Sequence, residues 1–200
     1  MEKSALPAHA GKSFGRGLML PLRRFIADRR GVGAIEFAIV APLMIMTYIG
    51  AFEISVAVTV SRKVSRASST VSDLLTRNDT IDSTTLASMK DVTKNILAPF
   101  SQDGYTLKIT GISVNAAGTA TVAWSYGGGS DSAYAKGATV TTLPKDMDAK
   151  STFIVRTEYS VPYKILLMAT NLTSNVTTLP LSRTSYFRQR TGDAIACSGC

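Results

Sequence analysis

The sequence is poor in the residues from which most metal and nucleophile sites are built. Its 200 residues include two cysteines and one histidine, His9. Two cysteines exclude a small domain held by many disulfides, and one histidine excludes a histidine-rich metal site. Because His9 lies in the first 30 residues, we expect no Ser-His-Asp or Cys-His site in the rest of the chain. We therefore predict no catalytic residue, no metal and no cofactor.

Charged residues are also scarce, and the positive ones are unevenly placed. They make up 18% of the chain, against 45% hydrophobic residues, which excludes disorder as the main state. The formal charge of +8 first suggests a nucleic-acid partner. However, the first 30 residues hold seven cations and two anions, whereas the rest of the chain is nearly balanced. A basic block beside an apolar run is typical of the cytoplasmic side of a membrane segment, so we expect no nucleic-acid partner.

A long apolar run follows the basic block. No residue from Phe37 to Phe52 is charged, and the segment 32–60 is long enough for a helix that crosses a membrane, with Glu36 and Glu53 near its ends. A buried helix of a soluble protein is one alternative, but no other element is apolar enough to surround it. A cleaved secretory signal is another, and it fits poorly because no small-x-small cleavage site closes the run.

The rest of the chain predicts helices first and strands afterwards. Apolar residues at helical spacing continue the first helix to about residue 75, and capping residues start a second helix over 82–97. Alternating residues predict a hairpin over 105–126, then strands over 152–161 and 181–190. The predicted fold class is α+β, in which a long N-terminal transmembrane helix continues into an extracytoplasmic domain with a second helix and a small, mainly antiparallel sheet.

These patterns divide the chain into three parts. Residues 1–31 form a basic cytoplasmic leader, residues 32–60 a transmembrane helix, and residues 61–200 an extracytoplasmic α+β domain. Within that domain, the polar stretch 127–150 starts with three glycines and is expected to be a flexible loop. Asp146 and Asp148 in this loop are expected to be solvated rather than an acid–base pair.

The sharpest motif lies where the leader meets the apolar run. Residues 29–42 read RRGVGAIEFAIVAP, which places basic residues, then Gly31, then an acid five positions later at the head of the helix. This motif, together with the second acid Glu53, resembles the TadE/TadG family of minor pseudopilins from tight-adherence (Flp) type IV pilus systems. The specific resemblance covers roughly residues 23–66.

The resemblance implies a processing site formed by Gly31, Val32, Glu36 and Phe37. A membrane-embedded prepilin peptidase would cut after Gly31, where the missing side chain allows close approach, and the mature chain would start at Val32. Glu36 would compensate the new N-terminal amine of a neighbouring subunit. Pro42 would kink the helix, since it lacks a backbone donor. An uncut anchor that keeps its leader is the alternative.

The resemblance also implies a location and partners. The expected protein is a single-pass protein of the bacterial inner membrane, with its N-terminus cytoplasmic and its C-terminal domain periplasmic. Expected partners are the inner membrane, prepilin peptidase, other pilin-like subunits and the pilus assembly machinery. The implied function is non-enzymatic assembly of a Flp-type pilus, supporting adhesion and biofilm formation, either within the fibre or as a scaffold.

Cys197 and Cys200 form a C-x-x-C motif at the end of the sequence. If this end faces an oxidising compartment, a small disulfide ring is the expected state, and an intermolecular bridge is the alternative. Two thiols alone make a poor zinc site. The rival function from another class is a membrane-anchored periplasmic thiol-redox protein, or another envelope enzyme.

Overall fold

The computed structural model describes residues 31–144, 147, 149–165 and 178–200. Its elements in chain order are helix α1 Val32–Leu75, strand β1 Thr80–Asp82, helix α2 Ser83–Leu97, and strands β2 Thr106–Val114, β3 Ala120–Gly129, β4 Thr152–Lys164, β5 Thr178–Arg188 and β6 Ala196–Ser198. Strands β3-β2-β4-β5, in this order, form an antiparallel sheet, and β1 pairs with β6 in parallel. The predicted α+β fold, with its long first helix, second helix and small sheet, is confirmed.

Helix α1 has two parts with opposite surroundings. The internal contacts of the chain define one unit that ends at Tyr48 and a second that begins at Ile49. Among the described residues up to Tyr48, none is buried. In the second unit one face of α1 is buried, at residues three or four apart that fit one side of a helix: Val60, Val64, Ala67, Val71 and Leu75.

Near Glu53, the buried face of α1 could not be read from the sequence pattern. Ile54 and Val58 are among the apolar residues at helical spacing that predict this part of α1, but they are 67% and 44% exposed. The buried face instead passes through Glu53 and Val60, which are 7% and 2% exposed. The apolar residues of this region surround the helix, so hydrophobicity alone does not show which side meets the domain.

Helix α2 begins and ends with specific contacts. The Thr85 backbone N–H donates to the Asp82 carboxylate at 2.7 Å, and the hydrogen bonds from Thr85 and Thr84 lower the pKa of Asp82 to about 2. At the other end, the Lys63 ammonium of α1 donates to the carbonyls of Ile96 at 3.1 Å and Ala98 at 2.7 Å. A cation at a helix C-terminus is favoured by the helix dipole, so Lys63 ties the two helices together.

Hydroxyl groups connect α1 to the sheet inside the apolar core. The Ser72 hydroxyl donates to Thr157 Oγ1 at 2.8 Å and lies 2.9 Å from Ser185 Oγ, while Ser185 donates to the Ser68 carbonyl at 2.8 Å. Ser72 and Thr157 are fully buried. These bonds join α1 to β4 and β5 at one position. Tyr159 lies two residues after Thr157 on β4, and burial raises the pKa of its hydroxyl to about 12.

The β2–β3 hairpin matches its sequence signal, but its glycines do not lie in a loop. Asn115 accepts the backbone N–H groups of Ala117 and Thr119 and so closes the turn. The glycines 127–129, which the sequence pattern placed in the flexible loop, form the end of β3 instead. A Cβ at Gly127 would lie 2.6 Å from the backbone nitrogen of Ala133, so glycine here lets the following chain fold over the strand.

Several other elements differ from expectation at their bounds. Strand β4 extends to Lys164, beyond the end of the predicted strand 152–161. Strand β5 starts at Thr178, before the start of the predicted strand 181–190. No sequence pattern predicted the short β1–β6 pair, in which Ile81 lies opposite Cys197. Residues 1–30, Asp146, Asp148 and the apolar residues 166–168 lie outside the described residues.

Replacing Ser72 by Ala tests the hydroxyl cluster. The change leaves two buried hydroxyls short of a partner, so the free energy of unfolding should fall by about 1–3 kcal/mol. Urea unfolding of the detergent-solubilised full chain can be followed by the fluorescence of Trp124, the single tryptophan. Ser88→Ala on the exposed face of α2 is the matched control and should change stability by less than about 0.5 kcal/mol. Equal effects of the two changes would contradict the structural role of the cluster.

Candidate functional site

The residues of the expected processing site lie on the open surface at the start of α1. Gly31 precedes the helix, and no atom lies within 4 Å of where its Cβ would be. Val32 is the first helical residue and is 47% exposed, while Phe37 is 72% exposed. Among the described residues, none covers this segment.

Glu36 lies on an apolar surface rather than at a helix cap. The first turn of α1 holds no acidic residue, so the helix dipole, which acts mainly within that turn, explains little of its placement. Its neighbours Ile35 and Phe37 are 64% and 72% exposed. A lone acid inside hydrocarbon costs about 2.5–3.5 kcal/mol on insertion scales. The pairing of Glu36 with a neighbouring subunit's amine stays a prediction.

Pro42 lies inside α1, which continues without interruption on both sides of it. Because proline has no N–H, the carbonyl of Ala38 lacks its usual helical donor. Membrane helices tolerate such a gap when neighbours compensate. The kink at Pro42 stays a prediction.

One helix in the described part of the chain, α1, is long and apolar enough to span a membrane. Its exposed apolar side chains continue from Val32 to Phe52, which corresponds to roughly 30 Å of helix, the thickness of a hydrocarbon core. The predicted span 32–60 extends further, into the part where Val56 and Val60 pack in the domain core. The fully unpacked part of the helix thus ends close to Glu53.

The two cysteines lie at a defined place in the domain. Their sulfur atoms are bonded to each other in the structure, and Cys197 lies opposite Ile81 in the β1–β6 pair. The C-terminal segment is anchored just before them, because the Trp124 indole donates to the carbonyl of the buried Ile195 at 2.9 Å. The sequence alone did not indicate that this tail packs against the core.

The position of the cysteines beside α2 bears on thiol chemistry. A helix N-terminus can lower the pKa of a thiol and so activate it. Here the N-terminus of α2 is already capped by the Asp82 carboxylate, which stays ionised because its pKa is about 2. The first backbone N–H groups of α2 therefore face the Asp82 carboxylate through Thr85.

A cluster that sequence reasoning missed lies on the other face of the sheet. The ring of Tyr134 lies 4.1 Å from the Lys108 ammonium and 4.8 Å from the Arg156 guanidinium. Each cation also has a carboxylate partner, Asp131 for Lys108 at 2.9 Å and Glu158 for Arg156 at 3.2 Å. These contacts hold the segment after β3 on the sheet. Its members are far apart in sequence, and no spacing pattern connects them.

Metal ligands do not cluster in the part of the chain that the structure describes. Among those residues, no group of three or more His, Cys, Asp or Glu side chains is arranged to hold a metal ion.

Comparison with known proteins gives a family match over nearly the whole of α1. Residues 31–73 match the family model described as TadE-like protein, which confirms the resemblance to the TadE/TadG family over this region. Searches of curated proteins and of solved structures give no significant match. TadE-like proteins are pilus-associated structural or assembly proteins, so the N-terminal region marks this chain as related to Tad pili. The match ends at residue 73 and does not include α2 or the four-stranded sheet.

The state of the cysteines can be measured directly. Alkylation of the native full chain without reductant should modify neither Cys197 nor Cys200, and mass measurement after reduction should find two alkyl groups per chain. The unreduced chain should run as a monomer, because both sulfurs are bonded within one chain. Two alkylated thiols before reduction, or a reducible dimer, would contradict the intramolecular pair.

Proposed function

We propose that this protein is a membrane-anchored minor pseudopilin or assembly factor of a Tad (Flp-type) pilus. Residues 32–52 of α1 cross the bacterial inner membrane, with the basic leader in the cytoplasm and the α+β domain in the periplasm. The observation that carries the proposal is a TadE-like segment that leaves its apolar surface uncovered from Val32 to Phe52. A helix of this kind needs lipid or other helices around it.

In the proposed mechanism, prepilin peptidase cuts after Gly31 and frees the amine of Val32. The exposure of this segment and the absence of a side chain at Gly31 support access by the peptidase. The helix then stays in the membrane until it joins other pilin-like subunits. Within such an assembly, Glu36 pairs with the Val32 amine of a neighbour, an interaction that is strong where water is absent.

The periplasmic domain would prime or modify the fibre and so support adhesion and biofilm formation. We propose this role as non-enzymatic, which the TadE-like segment supports. A membrane-anchored redox enzyme remains the rival function, and reduction of a model disulfide by the full chain would favour it. Loss of surface pili on deletion of the gene, seen by electron microscopy, would support the assembly role.

Replacing Gly31 by Leu tests the processing site. A branched side chain at this position should block the close approach of the peptidase, so the full-length chain should accumulate. N-terminal sequencing of envelope fractions should find the unsubstituted protein starting at Val32. Gly33→Leu, two residues further on, is the matched control and should still be cut. Full-length wild-type protein in cells with an active peptidase would contradict processing.

Replacing Glu36 by Ala tests the role of the carboxylate. The change makes the helix more apolar, so membrane insertion should be retained, whereas pairing with a neighbour's amine is lost. Pili counted by electron microscopy should become rare or absent while the protein level in the membrane stays normal. Asp91→Ala removes an exposed carboxylate from α2 and should leave pilus number unchanged. Normal piliation in the Glu36→Ala strain would refute the proposed pairing.

A further inference from the structure

A small cavity lies between the four-stranded sheet and the segment that follows β3. It measures about 140 Å³. Its lining includes apolar and hydroxyl-bearing side chains together with one cation: Val122, Tyr134, Thr139, Thr141, Thr142 and Arg156. Pockets for drug-sized molecules measure about 300–1,000 Å³, so this cavity suits a single small polar group.

Hydrogen bonds hold both walls of the cavity on the sheet. On one side, the Tyr134 backbone N–H donates to Ser125 Oγ at 3.1 Å. On the other side, the Val140 N–H donates to the carbonyl of Ala120 at 2.9 Å. The walls are therefore part of the folded domain, and a ligand would find the cavity already formed, which lowers the entropic cost of binding.

The cation in this cavity is buried and lacks a hydrogen-bond partner. Arg156 is 5% exposed. Glu158 Oε2 lies 3.2 Å from Arg156 Nε, but neither atom has a partner in hydrogen-bonding geometry among the described residues. The two Nη groups likewise make no hydrogen bond to a residue that the structure describes. A buried donor without an acceptor is costly, and native proteins commonly satisfy such groups with water or a bound ligand.

The charges around Arg156 leave its guanidinium able to bind a further anion. The Asp131 carboxylate is engaged by Lys108 at 2.9 Å. The Glu158 side chain is 33% exposed, so water screens much of its charge, whereas Arg156 is buried. The Tyr134 ring, 4.8 Å from the guanidinium carbon, restricts where this group can point. A guanidinium fixed in this way can donate two parallel hydrogen bonds to a carboxylate.

We propose that this cavity binds a carboxylate group, which accepts hydrogen bonds from the Arg156 guanidinium and from the threonine hydroxyls beside it. Thr139, Thr141 and Thr142 are exposed, so the ligand can enter from solvent. A small free carboxylate and the acidic side chain of another protein present the same group to Arg156. The inference concerns the second unit of the chain alone and does not rest on membrane anchorage, cleavage or a role in pili.

Titration of the full chain with acetate tests the site. The protein is labelled with ¹³C- and ¹⁵N-arginine, solubilised in a neutral detergent and kept at constant ionic strength. The Cζ signals of Arg156 and of the exposed Arg183 are assigned by their loss in Arg156→Lys and Arg183→Lys. Acetate should shift the Arg156 signal along a saturating curve, whereas acetamide, which has a similar shape without the charge, should not. A response that does not saturate, or that equals the response of Arg183, would refute the site.

Blocked tripeptides distinguish the two sources of the carboxylate. If the site receives an acidic side chain of another protein, acetyl-Gly-Glu-Gly-amide should shift the Arg156 signal as acetate does, and acetyl-Gly-Gln-Gly-amide should not. A shift with acetate but not with the Glu peptide would assign the site to small free carboxylates. Equal shifts with the Glu and Gln peptides would contradict recognition of a carboxylate.

Replacing Glu158 by Gln tests whether the ligand meets Arg156 itself. The change removes a carboxylate that competes for the same guanidinium, so acetate should bind several-fold more tightly. Asp91→Asn removes an exposed carboxylate from α2 and should leave the affinity unchanged. Equal affinities of the two variants would contradict the contact with Arg156. The titration of the unsubstituted chain tests the site even where a variant fails to fold.

Discussion

The structure depends on one helix that must suit two different solvents. Up to Phe52, α1 exposes apolar side chains on every side, and from Val60 onward one stripe of it is buried under the sheet and α2. In water the first part would expose far more apolar surface than a soluble monomer tolerates, whereas in lipid it is stable without protein contacts. The second part holds the domain, since its buried stripe contributes to the same core as strands β2 to β4. Membrane anchor and folding core are thus continuous, and the helix cannot be removed from the domain without opening it.

Polar contacts along α1 decide how the domain is attached to it. Apolar packing has little direction, but Lys63 bonded to the end of α2 and Ser72 bonded to Thr157 and Ser185 define one alignment of helix and sheet. The anchored C-terminal segment adds a further link, because Ile195 is buried beside Trp124. Both contacts lie in the second unit of the chain, so they fix the part of α1 from Lys63 onward against α2 and the sheet.

Much of the fold could be predicted from the sequence, because local physics determines it. The apolar run gives α1, the Asp82 cap and Pro99 bound α2, and Asn115 with Gly118 closes the β2–β3 turn. What could not be predicted depends on contacts between distant residues. The glycines 127–129 look like a loop until the chain at 131–133 is seen crossing them, and the β1–β6 pair joins segments more than 100 residues apart. The buried side of α1 near Glu53 could not be predicted either, because a helix with apolar residues on every side has no sequence pattern that distinguishes its packed face.

The TadE-like segment could be recognised from the sequence because its residues follow one another along a short stretch. Gly31, Val32 and Glu36 belong to that stretch, and the TadE-like match covers all three. In the domain beyond it, the charges paired around Tyr134 and the C-terminal strand that lies beside β1 both join residues far apart in sequence, so no short pattern indicates them.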